Sequence, residues 1–447
     1  MAILTLLSRL ISSGGHKKAM KTEAAERTPR RCAKCGACTA VCPVYQVSGR
    51  ESLTARGRLH LLGKLTRPLS SRACREIFSK CLLCGACVQA CPRGINIIDF
   101  FLAARKEAGE INITAALQKA LTCKVLDSET LMRITGRSLR FLDNTLPAAS
   151  GLRPRLGLKA KPASGGKHGS FISRQPPAAP EPSLLYFTGC LANHLQPVIG
   201  RACRDLTERI TGHRLYAPPG QTCCGMAAFN AADHQQAIEL CKTNITIFEQ
   251  PPYREQKIFT SCASCFAHLK SYPRLLAHDR QWAVRATAFA RRVEEFSSFL
   301  NSRITPAPQN KTRGKIQKIV YHDPCHLRFM AKEDQKDFNG AARQLIARAP
   351  GLELVELPHG PQCCGQGGLF RLSHPRLSRR IGHNLWQDFA AAGAPLATTT
   401  CTGCLFQWRQ GLSETAVKAR VLHLAEVLLE FYPATAPLIK DANPETE

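Results

Sequence analysis

Residues 32–43 read CAKCGACTAVCP, and residues 81–92 read CLLCGACVQACP. Both fit C-x2-C-x2-C-x3-C-P without deviation, the run that holds [4Fe–4S] clusters. Three closely spaced thiolates wrap one corner of a cubane, and the fourth cysteine, past a turn, reaches the other cluster. That rule predicts one cluster on Cys32, Cys35, Cys38 and Cys91, and a second on Cys81, Cys84, Cys87 and Cys42. Gly36 and Gly85 let the backbone approach the sulfides closely. Pro43 and Pro92 redirect the chain after the fourth ligand. Zinc is the competing reading, but it takes four ligands, usually in two CxxC pairs. Eight cysteines in this duplicated spacing favour iron.

Between the motifs, ESLTARGRLHLLGKLTRPLSSRACREIFSK reads as two helices broken at Pro68. The N-terminal cluster domain is therefore expected to be helical. After it, ITAALQKALTCKVL and SETLMRITGRSLRFL keep helical apolar spacing. Residues 148–183, rich in Pro, Gly, Ser and Lys, read as a linker.

Beyond the linker the cysteine pattern repeats. Cys190, the pair Cys223–Cys224 and the CxxC of Cys262 and Cys265 form one set. Cys325, the pair Cys363–Cys364 and the CxxC of Cys401 and Cys404 form the next. Cys190 and Cys325 are 135 residues apart, Cys224 and Cys364 are 140, and Cys265 and Cys404 are 139. Such small drift indicates duplication of one unit. Each unit reads as α/β: LLYF, HRLYA and KIFT are strands of the first, and KIVYH, LELVEL and PLATTT are strands of the second. Helices are expected from Leu195 to Ile210, Ala231 to Phe248, Gly340 to Arg348 and Arg376 to Ala391. The cysteines fall just past the carboxyl ends of strands, where open α/β sheets place their ligand sites. Five soft thiolates per unit exceed what one zinc takes, and adjacent cysteines suit two irons of an open cluster. A zinc-bound or partly occupied site is the alternative. About sixteen irons per chain would mean four clusters, and about eight would leave the repeats empty.

The fold class that follows is α plus α/β: a helical ferredoxin domain and then a duplicated α/β cysteine-rich domain. The expected divisions are a lead-in (1–30), the cluster domain with its connector (31–147), the linker (148–183), repeat one (184–314), repeat two (315–432) and a tail (433–447).

The 447 residues exceed one compact core. With 44% hydrophobic and 21% charged residues, the chain reads as globular. No apolar run of membrane-spanning length occurs. MAILTLLSRLI at the start has amphipathic helical spacing, which suits either a helix capping a neighbouring domain or a membrane-surface contact. The 22 cysteines cluster tightly and no secretion signal is read, so a cytoplasmic setting is expected. The formal charge is +28. Four clusters with their thiolates would remove about 8 units. The remainder suits an anionic membrane face or an acidic redox partner. No nucleic-acid-binding motif accompanies it, so nucleic acid is not an expected partner.

CPVYQ with ARGRLHLL after the first motif, and CCGQGGLFRLSHPRLSRRIGHN in repeat two, carry a family resemblance. Two ferredoxin motifs, a linker and two CCG repeats in one chain resemble the iron–sulfur subunits of glycolate oxidase and of D-lactate dehydrogenase complexes, from about residue 28 to 432. The helical cluster domain resembles those of succinate dehydrogenase and heterodisulfide reductase. The CCG repeats resemble the cysteine-rich domains of heterodisulfide reductases, which hold non-cubane [4Fe–4S] clusters on sets of five cysteines. The resemblance implies an oxidoreductase subunit passing electrons from an FAD-dependent partner to a quinone or other acceptor. No GxGxxG follows a strand and no P-loop occurs, while hydride removal calls for flavin or nicotinamide. The alternative is a subunit that itself reduces a disulfide at a CCG-bound cluster.

Smaller features complete the reading. Cys74, Cys123, Cys203 and Cys241 fall in helical stretches and read as buried structural thiols. His322, Asp323 and His326 around Cys325 suit either cluster tuning or ordinary packing. Arg56 and Arg58 suit either cluster charge balance or a solvated face.

Overall fold

The computed structural model describes residues 32–65, 69–111, 113–145, 184–304, 316–330, 337–415 and 417–432. The expected lead-in and its apolar helix, the break at Pro68, the linker at 148–183 and the tail lie outside the described residues.

The N-terminal part is helical. It comprises α1 (Ala37–Ala40), α2 (Pro43–Ser48), α3 (Ala55–Lys64), α4 (Arg72–Ser79), α5 (Ala86–Gln89) and α6 (Ile97–Ala108). Its core is Leu59, Phe78, Phe101 and Leu102, each 2% exposed or less. The spacer between the motifs does fold as helices. Thr54 caps α3 by accepting from Gly57 N, and Ser71 caps α4 by accepting from Cys74 N. The connector forms α7 (Ile113–Asp127) and α8 (Glu129–Thr145).

Repeat one runs β1 (Leu184–Tyr186), α9 (Cys190–His194), α10 (Pro197–Thr211), β2 (Leu215–Tyr216), α11 (Met226–Asn230), α12 (His234–Phe248), β3 (Ile258–Thr260), α13 (Ala263–Lys270), α14 (Tyr272–Leu275), α15 (Arg280–Arg292), β4 (Val293–Glu295) and α16 (Phe296–Arg303). Repeat two runs β5 (Gln317–His322), α17 (Cys325–Phe329), α18 (Phe338–Arg348), β6 (Leu352–Leu354), α19 (Phe370–Ser373), α20 (Pro375–Ala392), β7 (Leu396–Thr399), α21 (Thr402–Ser413), β8 (Arg420–His423) and α22 (Leu424–Phe431). Both sheets are parallel throughout, ordered β2-β1-β3-β4 and β6-β5-β7-β8. The six expected strands are present; five are shorter at their ends, and β5 begins one residue earlier than expected. Each sheet has a fourth strand beyond the expected three.

In both sheets the chain changes direction between the two central strands, a switch point whose carboxyl ends form a crevice. Cys190 and Cys262 follow β1 and β3, and Cys325 and Cys401 follow β5 and β7. The order of the strands thus places the cysteines at the crevice.

The repeats trade their last helices. α16 packs on α18 of repeat two, and α22 packs on α10 of repeat one. Arg348 donates to Asn301 Oδ1 at 3.1 Å, and Arg209 donates to Leu429 O at 3.2 Å. Among the described residues, no helix is long and apolar enough to cross a membrane.

Candidate iron–sulfur site

The two ferredoxin loops follow one backbone path. Gly36 and Gly85 share φ of +86° and ψ of −9°, and each caps the helix that carries its motif's third cysteine. Lys34 and Leu83 also turn left-handed, at φ of +55° and +54°. Nothing in their side chains signals this; the tight loop demands it. Cys42, Cys81, Cys84 and Cys87 line one cavity between the loops. Cys32, Cys35 and Cys38 stand close enough to raise the Cys38 thiol electrostatically, beyond the larger effect of its burial. Cys91, half-buried, closes the second loop. Burial likewise raises Cys84 and Cys87, with neighbouring thiols adding to it.

The arginines separate into different roles. Arg56 donates to Glu51 Oε1 at 2.7 Å and to Lys34 O at 3.2 Å, bracing the first loop. Arg58 is 1% exposed, so it belongs to no solvated face. Burial raises the Cys42 thiol, and the Arg58 guanidinium partly offsets this, after the backbone of Tyr45. Arg105 was not singled out by the sequence. It donates to Cys81 O at 2.7 Å, to Phe78 O at 3.0 Å and to Asn230 O at 2.6 Å, tying the second loop to repeat one.

In the repeats, Cys190, Cys223, Cys224, Cys262 and Cys265 together with Cys325, Cys363, Cys364, Cys401 and Cys404 all line a single cavity of about 350 Å³. Cys84 reaches the same cavity from the ferredoxin domain. Cys190 Sγ lies 3.6 Å from Cys223 Sγ. Both CCG turns are built alike: Gly225 N donates to Cys223 Sγ at 3.5 Å, and Gly365 N donates to Cys363 Sγ at 3.3 Å. The repeats touch through their CxxC loops. Ala263 N donates to Thr400 O at 2.9 Å, and Ser264 Oγ lies 3.3 Å from Cys401 Sγ.

Gly365 and Gly225 have φ of +82° and +94°. A Cβ on Gly365 would sit 2.4 Å from Ser378 O, whereas on Gly225 the nearest atom is His268 Nε2 at 3.2 Å. Gly365→Ala should therefore cost about 2 to 4 kcal/mol, the sum of backbone strain and overpacking, and Gly225→Ala about 1 kcal/mol. Urea unfolding of the two variants checks the order; equal costs would overturn it.

The residues around Cys325 resolve differently from one another. Asp323 forms a two-point ion pair with Arg343 at 2.6 and 2.8 Å, which is packing. His326 Nδ1 is 2.7 Å from Ser264 Oγ, and burial pushes this imidazole down to about 4, so it is neutral. His322 stands against Cys364 and Cys404. The four thiols outside the motifs are all buried in helices. Cys203 also takes part in a contact with Tyr186 Oη at 3.7 Å.

The donor set fits iron–sulfur chemistry. Ten soft donors face one cavity; neighbouring thiols and then burial push Cys190 and Cys404 well up, burial and then neighbouring thiols push Cys325 well up, and bonds from neighbouring thiols hold Cys223, Cys262 and Cys364 down. The raised thiols ionise only when a cation compensates them. Their number and softness exceed a zinc site's needs.

Comparison with known proteins agrees. Residues 29–95 match the 4Fe-4S dicluster domain, and residues 184–270 and 319–409 match the cysteine-rich domain. The probable glycolate oxidase iron-sulfur subunit of Bacillus subtilis is 25% identical over 89% of this chain and 93% of its own length. Lactate utilization protein A of a Geobacillus species is 30% identical over 54% of this chain and 97% of its own length. The chain belongs to the glycolate oxidase and lactate utilization iron–sulfur subunit family. Like that family's dicluster and cysteine-rich domains, the subunit carries iron–sulfur clusters and serves electron transfer. A solved structure, a hypothetical protein from Helicobacter pylori, is similar over 66% of this chain and 56% of that chain, at 9% identity and a TM-score of 0.40.

Proposed function

We propose that the subunit passes electrons from a partner FAD-dependent oxidase, acting on glycolate or D-lactate, to a quinone or another acceptor. The supporting observation is the shared cavity: Cys84 of the ferredoxin domain stands among the ten cysteines of the repeats. Cluster one takes Cys32, Cys35, Cys38 and Cys91; cluster two takes Cys81, Cys84, Cys87 and Cys42; each repeat's five cysteines hold one further cluster. Such clusters supply reversible one-electron chemistry, which lets a two-electron flavin donor discharge in single steps. The protein's own part is to fix the thiols and keep water out. Phe370, Ile381, Val44, Leu53 and Leu82 form an apolar seal around Cys42, Cys84 and Cys363. Arg380 donates to Val47 O and clamps the two parts together.

The names of the relatives support the hydroxy-acid assignment. The test is purification of the chain with its flavoprotein and assay of glycolate- or lactate-dependent dye reduction. Activity that persists when this chain is removed would refute the proposal. A second reading is favoured by the complete set of five cysteines in each repeat, since a cluster held there could bind and split a small disulfide. Oxidation of a reduced dye by small disulfides would support it, and no such oxidation by the fully loaded protein would exclude it.

A further inference from the structure

The repeats align on their first cysteines. Three residues before Cys190 stands Phe187, and three before Cys325 stands His322. Phe187 is fully buried in apolar surroundings, its ring centroid 6.2 Å from that of Phe248. His322 ends β5, is 2% exposed, and meets Trp408 edge-on at 5.6 Å. One position is thus buried twice, once with a ring that has no polar atom and once with a ring that has two. The Nδ1 of His322 makes no hydrogen bond of ordinary geometry, while the ring interacts with the Cys364 thiol. Other buried atoms here, His268 Nε2 and His374 Nε2 among them, also lack partners; what marks His322 is that repeat one fills the equivalent place with a phenylalanine.

A partner is at hand in the cavity. The ligand atoms of His322, Cys364 and Cys404 lie within 4.8 Å of one another, and all three residues are buried. Among the described residues this is the one His/Cys/Asp/Glu group at that spacing. Cys363, the other half of the CC pair, instead packs with Cys42 and Cys84 at the ferredoxin seal.

We propose that His322 is a nitrogen ligand to an iron of the centre in repeat two, so that the two CCG centres are chemically unlike. This rests on the reading that the repeats hold iron–sulfur clusters. A neutral imidazole donates as thiolate does but adds no negative charge, and histidine ligation raises the potential of an iron–sulfur centre. Repeat one, with Phe187 in that place, has no such donor. The centre nearer Cys84 is then the stronger oxidant of the two.

The test uses the full chain, loaded anaerobically, with His322→Phe, which copies repeat one, and His322→Cys, which keeps a donor. Iron and sulfide are counted first. A wild-type chain with only about half the iron that four clusters need overturns the reading of the repeats, and this proposal with it. With clusters present, pulsed EPR of protein labelled with ¹⁵N-histidine should show one strongly coupled nitrogen. That coupling should vanish in both variants. Redox titration should show one midpoint potential lowered in His322→Cys and the others unmoved. If His322→Phe does not load, His322→Cys carries the comparison. No strongly coupled nitrogen in the loaded wild type, a weak coupling alone, or a strong coupling that survives in His322→Cys overturns the proposal.

Discussion

Replacing Arg58 by methionine should destabilise the ferredoxin domain by about 3 to 5 kcal/mol, through buried carbonyls left without donors. The side chain is 1% exposed. Its guanidinium donates to Ile77 O at 3.0 Å, to Lys80 O at 2.8 Å and to Leu53 O, and lies over the Phe101 ring at 5.4 Å. Ile77 and Lys80 lead into the second cysteine motif, and Leu53 follows the first. Arg58 therefore sets the separation of Cys42 from Cys81, two residues that must share a cluster under the assignment proposed above. Methionine fills much the same volume but donates nothing. Lysine should not rescue, because one ammonium cannot span carbonyls that a planar fork reaches together. The variant should show a lower urea midpoint and faster anaerobic loss of visible absorbance. A midpoint equal to wild type would mean that the carbonyls find other donors and that Arg58 is not a clamp.

Arg58 also shows where sequence reading stops. The cysteine motifs were legible because their information is local: ligand spacing within twelve residues, a glycine at the left-handed turn, a proline after it. The buried strands LLYF and KIVYH were legible as continuous apolar runs. The fourth strands were not. Val293–Glu295 is three residues with two glutamates, and Arg420–His423 begins on an arginine; both lie at sheet edges and run directly into helices. Glu295 is nevertheless buried and caps α16 by accepting from Ser298 N, and His423 caps α22 in the same way. A charged residue in sequence carries no mark of whether its partners are water or main-chain carbonyls some 20 positions away. The merging of both repeats and Cys84 around one cavity is likewise a property of packing between distant segments. Spacing within each repeat groups the cysteines in fives, but does not show that all ten line one cavity.

The packing at Cys84 makes Cys84→Ser the most damaging single change expected for electron transfer. Cys84 sits in both cavities, beside Cys42, Cys81 and Cys87 in one and beside Cys325 and Cys363 in the other. Its own loop is tightly packed. Leu82 and Leu83 are buried on one side, and a Cβ on Gly85 would stand 3.1 Å from Phe329 and Met330 on the other. Serine offers a harder oxygen with a much higher pKa, so the second cluster should be lost or loosely held. Transfer from the flavoprotein to the acceptor should fall by about 100-fold or more, the upper range for damaged metal sites. Iron should drop by about four atoms per chain. Cys74→Ser is the control. That thiol is 5% exposed in α4 and lines neither cavity, so iron content should stay at the wild-type value despite some loss of stability. Full turnover in a Cys84→Ser protein that has lost those four irons would show that electrons bypass the second ferredoxin site. The contact between Cys84 and the repeats would then be structural, and the path from the ferredoxin domain into the repeats would have to start elsewhere.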